Sequence, residues 1–133
     1  MIIVSAILFC PEEERPRIIA IQCCEPQCPS MDTCPQPVIN FPDGQAESII
    51  VAHGLNDRQL HYPLQLWYSP TASSRGAPIN RPINQMIVGS EAKQWHDMVV
   101  VLKFSGSRRR GYSHASLNDL PDLAAYFLAC KSK

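Results

Sequence analysis

The segment MVVVLKF at residues 98–104 constrains the fold more than any other part of this 133-residue chain. Three consecutive valines within an almost unbroken apolar run are typical of a strand that is covered on both faces. Such a strand needs partner strands beside it and packed layers above and below it. We therefore predict a sheet in which residues 98–104 form the central strand.

Four further segments carry a β pattern, and together they predict a mostly antiparallel sheet of five to six strands. Residues 2–10 and 18–24 are apolar and flank the polar stretch PEEERPR, which predicts a hairpin with an acidic tip. Residues 48–53 and 60–68 are the other two strands, and the second places its leucines on one face. Because Pro63 cannot donate a ladder hydrogen bond, we expect strand 60–68 to lie at an edge or to contain a bulge.

Two segments predict helices. Residues 119–131 place leucine, alanine and phenylalanine at helical spacing, with Asp119 as the N-cap. Residues 80–89 predict a shorter helix with Asn80 as its N-cap. A helix packed on one face of an antiparallel sheet gives an α+β fold, and the chain length fits one domain over residues 1–133.

The cysteines are concentrated in one proline-rich part of the chain. Residues 25–46 contain five of the twelve prolines and predict an ordered loop, and four of the six cysteines fall within residues 23–34. A structural zinc site needs a second pair of cysteines or histidines of similar spacing, and none follows. A chain of this length also folds without a disulfide framework. We therefore expect free thiols, and no metal or other cofactor.

The apolar N-terminus, MIIVSAILFC, lacks both the basic start and the cleavage site of a secretory signal. It is also too short to span a bilayer. We interpret it as a buried strand and expect a cytoplasmic protein with no membrane partner. Free thiols agree with such a reducing compartment.

The charge of the chain is distributed unevenly along the sequence. The net charge is zero, which argues against nucleic acid as a partner. Residues 1–56 nevertheless carry −5 and residues 57–133 carry +5. If these charges lie on different faces, one copy attracts another or a charged protein partner, so we expect a homodimer or larger oligomer, with strand 60–68 as a second contact edge. The alternative is that the charges interleave in the fold.

Residues 105–116, SGSRRRGYSHAS, predict a loop between the central strand and the last helix. Arginine side chains bind phosphate or carboxylate in a bidentate manner, and the following helix N-terminus adds backbone donors. An anion-binding or phosphate-binding module is therefore one candidate function. The spacing also matches a basophilic kinase site at Ser113. The alternative is a solvated loop whose arginines pair with the acidic hairpin tip. The candidate ligand-binding residues are Arg108, Arg109, Arg110, Tyr112 and His114.

Three histidines, His53, His96 and His114, are the first candidates for a catalytic site. His53 ends a predicted strand, and His96 stands beside Asp97. The chain contains no nucleophile elbow, Walker loop, zinc-protease motif or dinucleotide fingerprint. We therefore favour a non-catalytic interaction or self-assembly module over a small enzyme with a histidine-based site.

Two segments, WHDMVVVLKFSGSRRRGYSHASLNDLPDLAAYF and ILFCPEEERPRII, resemble small uncharacterised proteins of mushroom-forming fungi. The resemblance covers both ends of the chain more than its middle. It implies an intracellular protein and nothing about a mechanism.

Overall fold

The fold was obtained as a computed structural model, which describes residues 2–24, 36–42 and 44–130, with residues 107–110 described by their backbone only. It consists of one sheet and two helices. The strands are β1 (Ile2–Phe9), β2 (Arg17–Cys24), β3 (Gln36–Pro37), β4 (Glu47–His53), β5 (Gln59–Tyr68), β6 (Val99–Ser105) and β7 (Ser107–Ser113). The helices are α1 (Arg81–Ile87) and α2 (Leu120–Ala129), and two 3-10 turns lie at Leu55–Asp57 and Leu117–Asp119.

Strand β6 is the centre of the sheet, as its valine run predicts. The sheet is antiparallel, with the strand order β3-β2-β1-β6-β5-β4, and β7 also pairs with β6. One edge of β6 pairs with β5, and the other is shared, because β1 pairs with residues 99–101 and β7 with residues 103–105. The predicted α+β fold and central strand are confirmed.

Strand β5 does not lie at an edge of the sheet, so this part of the prediction is wrong. It lies between β4 and β6, and β4 is the edge strand. The predicted bulge is present, because the pairs Val51↔Leu64 and His53↔Gln59 leave extra residues on β5, and Pro63 is one of them. A proline in a bulge has no ladder position to fill, so it is compatible with an interior strand.

Residues 105–116 are not a loop, because they contain β7. Gly106 has a φ of 84°, which allows the chain to reverse directly after β6. The Tyr112 ring then stacks on the Phe104 ring at 5.2 Å between centroids. The sequence of β7 is polar and does not alternate, so the strand depends on this packing.

A second strand lies within the stretch that predicts a loop at residues 25–46. Residues 36–37 form β3, which pairs with the end of β2 through Cys23↔Pro37 and Cys24↔Gln36. Residues 25–35 lie outside the described part of the chain.

Both helices pack on the same face of the sheet. The other face carries a smaller apolar cluster, which Ile39, Trp67 and Tyr112 partly cover. The buried residues on the helix-covered face are Ile7, Phe9, Val51, Leu64, Leu66, Ile83, Ile87, Trp95, Val99, Val101, Ala115, Leu123 and Phe127. None of the helices within the described ranges is long and apolar enough to cross a membrane.

Helix α2 begins and ends slightly inside the predicted range, and Asp119 does not cap it with its side chain. The Asp119 carboxylate instead accepts the Ser116 N–H at 3.0 Å and the Lys103 ammonium at 3.1 Å. The bond from the Ser116 N–H is one half of a capping box around the 3-10 turn that precedes the helix, and the Ser116 side chain accepts the reciprocal backbone N–H. The Asp119 carboxylate therefore links the start of α2 to β6 through Lys103.

Asn80 caps α1 as predicted, and its fully buried side chain also joins two other segments. Its Oδ1 accepts the Ile83 N–H at 3.2 Å. Its Nδ2 donates to the carbonyl oxygen of Phe9 at 2.7 Å and to that of Asp97 at 2.8 Å. One amide thus holds together the end of β1, the start of α1 and the residues before β6.

We expect Phe127→Ala to lower the free energy of unfolding by about 3–5 kcal/mol, because it leaves a cavity in the core. Phe127 is completely buried, with its ring edge-to-face against Phe9 and Trp95. Urea denaturation measures the change. Leu128→Ala is the control, because Leu128 is 44% exposed on the same helix. Equal losses in the two variants would show that the buried face of α2 is misassigned.

We expect Asn80→Ala to cost about 2–4 kcal/mol of folding free energy, since it removes a cap and leaves two buried carbonyls unpaired. Gln85→Ala, at an exposed position of the same helix, should change the stability by less than about 0.5 kcal/mol. Thermal and urea melts of both variants make the comparison. A loss below about 1 kcal/mol for Asn80→Ala would contradict the linking role of this amide.

Candidate binding groove

A groove of about 770 Å³ opens on the helix-covered side of the molecule, next to the edge strand β4. Ile49 lines it from β4, and Tyr126 and Cys130 line it from the end of α2. Residues 91–96, which lead into β6, form the remaining wall together with Ser73. The groove is therefore built from segments that are distant in the sequence.

Two backbone hydrogen bonds hold this wall in place. The Lys93 N–H donates to the carbonyl oxygen of Cys130 at 2.8 Å, which fixes the segment against the end of α2. The Asn80 N–H donates to the carbonyl oxygen of Trp95 at 2.8 Å, which fixes it against the start of α1. The residues between these two bonds are thus held at both ends.

Trp95 forms an aromatic wall of the groove. It is only 4% exposed, and its ring lies edge-to-face against Tyr68 at 5.6 Å and Phe127 at 5.5 Å. The Lys93 ammonium lies 4.6 Å from the centre of the indole ring. The indole N–H is buried and has no acceptor among the described residues. The groove wall therefore combines the indole ring of Trp95 with the Lys93 cation, and the indole N–H is buried out of reach of solvent.

Two tyrosines next to Trp95 stay protonated well above neutral pH. Burial raises the pKa of Tyr126, and the Cys130 side chain, which is hydrogen-bonded to it, raises it further. Burial also raises the pKa of Tyr68, whose hydroxyl donates to the Glu47 carboxylate at 3.1 Å. Both phenols are therefore neutral at this side of the groove.

His96 is the only one of the three candidate histidines that lines the groove. Its Nδ1 lies 2.8 Å from the carbonyl oxygen of Ala77. Because a carbonyl oxygen only accepts, Nδ1 carries the proton and Nε2 of the neutral ring is an acceptor. The neighbouring Asp97 carboxylate binds Arg75 at 2.7 Å instead, so the described contacts give no His96–Asp97 dyad.

His114 has the opposite tautomer and a structural role. The Ser5 N–H donates to Nδ1 of His114 at 2.9 Å, so the proton of the neutral ring is on Nε2. The Ala115 N–H donates to the Ser5 carbonyl oxygen, also at 2.9 Å. These bonds bridge β1 and the segment after β7, where the two strands share one edge of β6. His114 thus stabilises the sheet.

His53 lies at the exposed end of β4, where it pairs with Gln59 of β5. The structure therefore places the three histidines in three different surroundings. His96 is the histidine of the groove, His114 bridges strands, and His53 belongs to the sheet edge.

The arginine-rich segment is placed in β7. Arg108, Arg109 and Arg110 are strand residues whose side chains lie outside the described part of the structure. Tyr112 packs on β6, and its hydroxyl donates to the side-chain amide oxygen Oε1 of Gln65. Tyr112 therefore has a packing role within the sheet.

The acidic hairpin tip has nearby partners of its own. Glu13 pairs with Arg17 at 2.8 Å, and Glu14 pairs with Arg81 at 3.4 Å. The second pair joins the acidic half of the sequence to the basic half. Here an acidic residue of the first half of the sequence lies next to a basic residue of the second half. This agrees with the alternative that the charges interleave in the fold, rather than lying on different faces.

Cys10, Cys23, Cys24 and Cys130 form no disulfide, as predicted. Cys28 and Cys34 lie outside the described residues. Within the described ranges, no group of three histidine, cysteine or acidic side chains could hold a metal ion.

Comparison with known proteins adds no relative, since no protein-family model, curated protein or solved structure matches the chain. The function is therefore argued from the groove and from the sheet edge beside it.

We expect the stability of the protein to fall as the pH rises above about 10, because unfolded tyrosines ionise there while Tyr68 and Tyr126 stay protonated in the fold. Below that pH this contribution is fully present. Tyr126→Phe should reduce the loss of stability between pH 9 and 11, as measured by urea melts at each pH. Identical pH dependence in the wild type and in the variant would contradict the raised pKa of Tyr126.

Proposed function

We propose that the protein is a non-catalytic interaction module, which binds a partner through the groove and the outer edge of β4. The observation that carries this proposal is their continuity, because Ile49 belongs to β4 and also lines the groove. An edge strand offers backbone donors and acceptors to an extended chain, and an adjoining pocket accepts a side chain of that chain. This combination is a recurrent mode of peptide recognition.

The walls of the groove favour an aromatic side chain. Trp95 and Tyr126 offer ring surfaces, and Ile49 adds an aliphatic one. The Lys93 ammonium favours a neighbouring carbonyl or carboxylate group. An aromatic residue in an extended segment supplies both features, since its own backbone carries the carbonyl.

Binding fits these contacts better than catalysis does. A nucleophile needs a base within hydrogen-bond reach. Nε2 of His96 is an acceptor, but the described contacts join it to no serine, threonine or cysteine, and the groove cysteine, Cys130, is hydrogen-bonded to Tyr126 instead. A histidine-based enzyme and an anion site at Arg108–Arg110 stay predictions that no described contact tests.

Indole is a suitable probe of the groove, because it contains only the aromatic part of the proposed ligand. We expect its addition to shift the amide NMR signals of residues 91–96 and 126–130 in a saturable manner. Ala92→Trp should weaken the binding, because Ala92 lines the groove and the larger side chain fills it. The matched control is Val88→Trp, which adds the same side chain at a position that is 78% exposed. Shifts scattered over the surface, or equal binding by both variants, would contradict the proposal.

A further inference from the structure

We infer that the partner at the sheet edge is a second copy of this chain, bound by antiparallel pairing of two β4 strands about a two-fold axis at Ile50. The pairing would join two sheets into one continuous sheet. This inference rests on the proposed function because it uses the β4 part of the same surface. It names the partner that occupies that edge and leaves the groove to a separate aromatic ligand, because ESIIVAH contains no phenylalanine, tyrosine or tryptophan.

The outer edge of β4 is open within the described part of the structure, since the strand order ends there. Its inner edge pairs with β5 in regular register from Glu47 to Val51. The extra residues of the bulge that follows belong to β5, and β4 itself continues as a strand to His53. All seven residues of β4 are thus in a conformation that can receive another strand.

The two edges of the sheet differ in their protection against pairing. The opposite edge ends in β3, which is two residues long and contains Pro37. Strand β3 covers only the end of β2, so within the described residues the outer side of residues 17–21 has no partner strand, and the only charged side chain there is Arg17, which is paired with Glu13. Short strands, prolines and charges are the features that blunt sheet edges. Strand β4, with the sequence ESIIVAH, has no proline or lysine, and its ionisable side chains lie only at its two ends.

The sequence of β4 is complementary to itself in one register. A two-fold axis at Ile50 pairs all seven residues, placing Glu47 opposite His53, Ser48 opposite Ala52 and Ile49 opposite Val51. Directly opposed residues lie on the same face of a sheet, so the acidic and imidazole side chains meet at both ends of the ladder. The symmetric registers centred one residue earlier or later lose pairs and separate Glu47 from His53.

The axis also covers the most exposed apolar side chain of β4. Ile50 is 38% exposed, and in this register it packs against Ile50 of the second copy. An isologous contact of this kind closes on itself, because each copy uses its β4 edge once. Because the contact is isologous, β4 pairing by itself gives a closed dimer.

Sedimentation equilibrium tests the pairing, and we expect the wild-type chain to form a concentration-dependent dimer. Ile50→Lys should raise its dissociation constant about a hundredfold, because two ammonium groups then meet at the axis. Val88→Lys, which adds the same charge at an exposed position outside the sheet, should leave the dimer unchanged. A wild type that is monomeric at every concentration, or a dimer that Ile50→Lys leaves intact, would overturn the inference.

A charge exchange tests the register independently of Ile50. Glu47→Lys should weaken the dimer by about tenfold, because it places a lysine opposite His53. Adding His53→Glu to that variant should restore the affinity, since the pair is opposed again with its charges reversed. Circular dichroism confirms that each variant is folded. Failure of the double variant to recover would overturn this register.

Titration with indole separates this inference from the proposed function. If Ile50→Lys is monomeric and still binds indole, the groove acts independently and the pairing inference stands. If the wild type binds indole and is always a monomer, the groove remains and the pairing is wrong. If it dimerises and does not bind indole, the pairing stands and the proposed role of the groove is wrong.

Discussion

The buried amide of Asn80 is the interaction on which the helical layer depends. Its three hydrogen bonds link the end of β1, the start of α1 and the residues before β6, and a buried polar group that loses its partner is costly. The same residue uses its backbone N–H to fix Trp95, which forms the aromatic wall of the groove. Asn80 therefore connects the helical layer to one end of the groove wall, and the bond from Lys93 to Cys130 holds the other end.

The elements that depend on local patterns could be predicted from the sequence, and those that depend on distant contacts could not. The strand β6 and the cap of α1 could be predicted, because an unbroken apolar run and an asparagine before a helix are local signals. Strand β7 was missed because its residues are polar, and its strand conformation is stabilised by packing of Tyr112 on Phe104. The interior position of β5 was missed because Pro63 argues for an edge only where it would occupy a ladder position, and it lies in a bulge.

The groove could not be predicted from the sequence either, because it also depends on distant contacts. Ile49, Trp95 and Tyr126 come from three separate segments, and no spacing in the sequence relates them. His96 and Asp97 are adjacent in the sequence, but their side chains bind different residues, Ala77 and Arg75. The roles of His96 and His114 follow from which ring nitrogen is hydrogen-bonded to which backbone group, and this is a property of the folded chain alone.

The shared edge of β6 has a consequence for the order in which the sheet assembles. Strands β6 and β7 are joined through Gly106 and can pair as soon as both exist, at little cost in chain entropy. Strand β1 pairs with β6 across most of the length of the chain, through contacts such as Ile7 with Val101. Contacts at such separation form slowly, because a long loop has to close first. During synthesis the β1–β2 hairpin leaves the ribosome before β6, so β1 cannot pair with its central neighbour until β6 has also been made. Strand β1 is therefore made before β6 and yet is among the last strands to be fully paired.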